Sequence, residues 1–73
     1  MRMNPGDLVV ANHTQFFKGT KEVSLRIHSH FNLFLYVPFS TVFIVLSVGN
    51  DILVTDGNVV GFIMPQLLKR LDA

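Results

Sequence analysis

The sequence predicts an all-β domain, residues 1–73, rolled into a small barrel of five to six short antiparallel strands. Three observations lead there. Phe31–Val48, FNLFLYVPFSTVFIVLSV, is eighteen residues without a charge, yet Pro38 stands near its middle and its second half is β-branched. A proline inside a helix removes a hydrogen bond and clashes with the preceding turn, whereas β-branched residues suit a pleated sheet. The turn dipeptides Gly49-Asn50 and Asp56-Gly57 then leave room between them only for a strand. Finally, Val23–His28 alternates: Val23, Leu25 and Ile27 on one side, Ser24, Arg26 and His28 on the other.

In chain order, Asn4-Pro5-Gly6 opens as a turn and Asp7–Ala11 is the first strand. Residues 12–22 are polar and form a long excursion with Phe16 and Phe17 folded inward. Residues 23–28 and 31–37 pair as strands around a bend at 29–32, and Pro38 separates them from the next strand, 41–48. In that strand Val42, Ile44, Leu46 and Val48 are assigned to the core, with Thr41, Phe43, Val45 and Ser47 opposite. Residues 52–55 and 59–64 form a hairpin about Asp56-Gly57-Asn58. A 3₁₀ turn near residues 64–67 leads to a last short strand from Leu68. Rolling the strands into a barrel is expected to remove exposed edges.

Size and composition narrow the function classes. Seventy-three residues make one domain, and a chain this short buries only about 60% of its unfolded surface. There is no cysteine, hence neither a disulfide nor a thiolate metal site. Net charge is +1, and the six Lys and Arg residues never run longer than two. The start, MRMNPGDLVV, holds no apolar stretch of the kind a secretory leader needs, which predicts an intracellular protein. A single membrane span over residues 31–48 is the remaining topological alternative.

Residues Thr41–Leu71 run as strand, turn, strand, Asp-Gly turn, Gly-aromatic strand, one-turn helix and closing strand. This order resembles the second half of an SH3-like barrel. Gly61-Phe62-Ile63 stands where bacterial SH3 domains carry Gly-Trp-Val, and PGDLV at 5–9 resembles their opening strand. The chain has no tryptophan and no acidic-aromatic segment, so the resemblance implies the barrel without its proline-peptide groove. It is similar in type to small phage and bacterial proteins, which implies a cytoplasmic location, in the virion or host cytoplasm if phage-encoded.

No enzyme and no cofactor are predicted. Asp7, Asp51 and Asp56 each adjoin a turn, the serines lack a nucleophile-elbow context, and the five glycines make no phosphate loop. His28 and His30, two apart in a strand, would project from one face as a bidentate pair, but the spacing supplies no third ligand and no metal is assigned. Lys18, Lys21 and Arg26 beside Phe16 and Phe17 offer cations next to stacking rings, a nucleic-acid interface. The favoured reading is a protein-interaction or assembly module that pairs with further copies of itself. Phe16, Phe17, Phe31, Phe34, Phe39 and Phe43 are too many aromatics for one small interior, and surplus apolar surface marks an interface.

Overall fold

The computed structural model describes residues 2–72. Seven strands form one antiparallel sheet: β1 Leu8–Ala11, β2 Glu22–Ile27, β3 Phe34–Pro38, β4 Phe43–Val48, β5 Ile52–Thr55, β6 Val60–Ile63 and β7 Leu68–Arg70. Two 3₁₀ turns, His13–Gln15 and Pro65–Leu67, complete the regular structure. The all-β class and the placement of the 3₁₀ turn agree with the sequence; the strand count is seven, not five or six. The uncharged stretch 31–48 is occupied by β3 and β4. Among the described residues no helix is long and apolar enough to cross a membrane.

The order across the sheet is β3-β2-β6-β5-β4-β1-β7. The ladder does not close, so β3 and β7 remain as edges, contrary to the expectation that closure removes them. The sheet nevertheless curls, because the inward side chains of all seven strands meet in one cluster. Val9, Val23, Leu25, Phe43, Val45, Ile52 and Val54 are its largest fully buried members.

The local chemistry explains the corners. Pro38 ends β3, and the Thr41 N–H donates to the Pro38 carbonyl at 3.0 Å to turn the chain into β4. At the β5–β6 corner, Asp56 Oδ1 accepts the N–H groups of Asn58 and Val59 at 2.9 and 3.0 Å. The Thr55 hydroxyl accepts from Gly57 N–H and donates to the Val59 carbonyl. Gly57 itself has φ +99°, a conformation that side chains disfavour. The two amide donors hold the Asp56 carboxyl below its ordinary value of 3.8. A depressed folded-state pKa contributes stability that is present above the unfolded value and is lost as pH falls through the folded one. Asp56→Asn, which keeps an acceptor oxygen without the titration, is therefore expected to melt with a weaker dependence on pH below the ordinary carboxylate range than the parent. Parallel melting curves against pH would contradict this.

Strand β4 is oriented opposite to the sequence expectation. Phe43 and Val45 are buried, whereas Val42, Ile44 and Leu46 are exposed. The pairing shows why. Val45 lies opposite Val54, then Leu46 is inserted as a bulge, and Ser47 and Val48 lie opposite Leu53 and Ile52. Opposite residues share a face, so an extra residue exchanges the two sides of the strand. Odd positions point inward before the bulge. After it, Val48 lies on the side of Ile52, but at the rim, where it is exposed. A strict period of two assigns a face only where no such insertion occurs.

Candidate interaction surfaces

Thirteen large apolar residues among those described are exposed, against twelve apolar residues in the buried core. Sheet register gathers many of them into two patches. The first lies along β3 and the turn before it: Phe31, Leu33, Phe34, Leu35 and Tyr36, with Tyr36 64% and Phe31 66% exposed. The second lies on the outer face of β1 and β4. Leu8 is directly opposite Ile44, and Leu71 is fixed beside them by its N–H, which donates to the Leu8 carbonyl at 2.9 Å. All three are exposed, as is neighbouring Val42.

The phenylalanines singled out in the sequence divide among four environments. Phe31 and Phe34 belong to the first patch. Phe16 and Phe39 are half-buried against the core, their rings 4.7 Å apart, with His13 stacked on Phe39 at 4.8 Å. Phe17 is not folded inward but 91% exposed. Phe43 is 0% exposed and offers nothing to a partner, which corrects its assignment to an interface. Its ring fills the centre of the curl, opposite Val9.

A cleft runs between the 3₁₀ turn at His13 and the β3–β4 corner, bordered by Phe16, Phe17, Lys18, Lys21 and Phe39. Lys18 and Lys21 share it, but Arg26 does not. Arg26 lies on the outer face of β2, between Phe34 and Phe62, and pairs with Asp51 at 3.2 Å. Its guanidinium carbon stands 5.8 Å from the Phe62 ring centroid. The ion pair is exposed on both sides, the kind worth about 0–1 kcal/mol. The expected trio of cations is therefore two cations in one cleft and one elsewhere.

The histidines also depart from expectation. Strand β2 ends at Ile27, so His28 and His30 occupy the following turn rather than one strand face. His28 packs against Phe62, with centroids 5.6 Å apart, and His30 Nδ1 lies 3.0 Å from the Ser29 hydroxyl. Among the described residues no three His, Asp or Glu side chains converge as a metal cluster would require. Asp7 accepts the Asn4 N–H at 2.9 Å, so Asp7 and Asp56 have partners within their own turns, whereas the partner of Asp51 is the distant Arg26.

Sequence reading missed Leu8, Tyr36, Val42, Ile44 and Leu71 as exposed apolar surface. The available signal was Phe43, the bulkiest side chain of its strand, whose burial fixes the parity of its neighbours. No protein-family model, curated protein or solved structure matches the chain.

Proposed function

We propose that the protein is a non-enzymatic interaction module of SH3-like type that associates with further copies of itself. The observation that carries this reading is the apolar surface: more large apolar residues are exposed than are buried, in two patches set by register. A soluble domain that leaves such patches uncovered loses the free energy their burial would release, so continuous exposed apolar area marks a contact surface. The pairing of the first strand with the last, and the 3₁₀ turn leading into that last strand, support the SH3-like reading. A cytoplasmic setting, of bacterium, virion or phage-infected host, goes with it.

Sedimentation tests the proposal directly. Across micromolar to submillimolar concentration, mass is expected to rise from 8.2 kDa toward a multiple of it. A single 8.2 kDa species throughout would defeat self-association.

The cleft favours a second reading, single-stranded nucleic acid. Phe17 presents an exposed ring beside Lys18 and Lys21, in the cleft that His13, Phe16 and Phe39 also line. Ring stacking on a base contributes about 1–3 kcal/mol, so Phe17→Ala is expected to weaken any oligonucleotide binding by about fivefold or more. Lys18→Ser with Lys21→Ser should flatten its salt dependence, whereas Arg26→Ser should leave it unchanged. Absence of salt-sensitive binding in the parent protein rules this reading out.

A further inference from the structure

We infer that the exposed edge of β3 pairs with β3 of a second copy, antiparallel about a two-fold axis, with Leu35 opposite Leu35. The inference rests on the self-association reading above and specifies the surface and register. Its basis is a difference between the two sheet edges. Strand β7 is three residues long and carries Lys69 and Arg70, charges of the sort that discourage edge-to-edge pairing. Strand β3, FLYVP, has no charge, and Phe34, Leu35 and Tyr36 are all exposed.

The register within the β2–β3 hairpin fixes which backbone groups are free. Ile27 N–H donates to the Leu33 carbonyl at 3.0 Å, and Phe39 N–H donates to the Lys21 carbonyl at 3.1 Å. Hydrogen-bonded positions alternate along an antiparallel pair, so Leu33, Leu35, Val37 and Phe39 direct their polar groups to β2. Phe34 and Tyr36 direct theirs outward, away from the sheet. Pro38 belongs to the same outward set, where its lack of an N–H costs no ladder bond.

Two outward residues, two apart, are self-complementary. Setting Phe34 against Tyr36 of the second copy, and the reverse, gives two hydrogen-bonded pairs and satisfies all four free groups on each strand. Leu35 then meets its own counterpart in the closely spaced, non-hydrogen-bonded position. The cross-strand aromatic pairs fall on the outer face and the leucines on the inner, and no charged side chain is brought against another. With three aromatics of about 150–250 Å² each more than half exposed, and Leu33 and Leu35 partly so, full burial of this patch covers at most about 1,000 Å² over both copies, which is near the lower limit for a specific interface. The pairing is accordingly a dissociable one.

Tyr36→Pro tests the edge alone, because the N–H it removes is not used by β2. Sedimentation of the parent, of Tyr36→Pro and of Ile44→Lys on the other patch gives the comparison. The expected result is a parent and Ile44→Lys at twice 8.2 kDa at high concentration, and a Tyr36→Pro that stays at 8.2 kDa with an unchanged circular dichroism spectrum. A Tyr36→Pro that still dimerises, with Ile44→Lys monomeric, overturns edge pairing while self-association survives. A parent that stays monomeric overturns both. Should Tyr36→Pro fail to fold, amide exchange in the parent decides. Phe34 and Tyr36 amides that become protected as concentration rises support the pairing, and amides that exchange freely at every concentration overturn it.

Discussion

Phe43→Ala is expected to cost the fold a large share of its stability and to lower its urea midpoint sharply. The ring is fully buried, and its strand contributes Phe43 and Val45 to a core shared by all seven strands. Truncating a buried phenylalanine to alanine costs about 3–5 kcal/mol, from lost transfer free energy and the cavity left behind. A domain of this length has about 4–11 kcal/mol in total, at about 0.05–0.15 kcal/mol per residue. The loss therefore takes about a quarter or more of the stability, and most or all of it at the lower end. Ile44→Ala, one residue away on the outer face, removes a half-exposed side chain and should shift the urea midpoint far less. A loss for Ile44→Ala as large as that for Phe43→Ala would mean that the outer face of β4 is buried as well, which would undo the assignment of the patch containing Leu8 and Ile44.

Gly61→Ala is expected to loosen the β2–β3 hairpin from the rest of the sheet. A Cβ built at Gly61 would stand 2.9 Å from the Arg26 carbonyl oxygen and 3.0 Å from Leu25 Cβ. The first of these is backbone and cannot rotate aside, so β2 must move away from β6. The contact it would leave is short: β2 pairs with β6 at Arg26↔Phe62 and Ile27↔Gly61, and just beyond them His28 N–H donates to the Val60 carbonyl at 2.9 Å. Overpacking of this kind costs about 1–3 kcal/mol, and Gly61→Val should cost more. Amide exchange should show the loss concentrated in β2 and β3, with β4 and β5 retaining their protection relative to global unfolding. A uniform rise in exchange, or none, would place the weak seam elsewhere. Since the proposed dimer edge is β3, the same variant is expected to weaken association without touching the paired strand.

Much of this arrangement is legible in the residues themselves. Pro38 marks a corner because it cannot continue a helix through the uncharged stretch, and Asp56-Gly57 sets a tight corner through a side-chain acceptor and a positive φ. Val23 and Leu25 are fully buried, as their alternation says, and Ile27 at the strand end is partly buried. These are local effects, fixed by the chemistry of a few neighbouring residues. The candidate surfaces were legible only in total: the excess of apolar side chains was evident, but not which of them face outward.

What the sequence by itself determined is the all-β class, the corners, and an apolar content larger than one small interior can hold. The facing of β4, the separation of Arg26 from Lys18 and Lys21, and the two unpaired edges were decided by tertiary pairing. The reason is that a strand such as β4, apolar on both sides, carries no local preference for a face. The choice falls to which side chain best fills the curl and where a bulge shifts the register. Phe43 fills it, and that single burial places Ile44 and Leu8 on the surface.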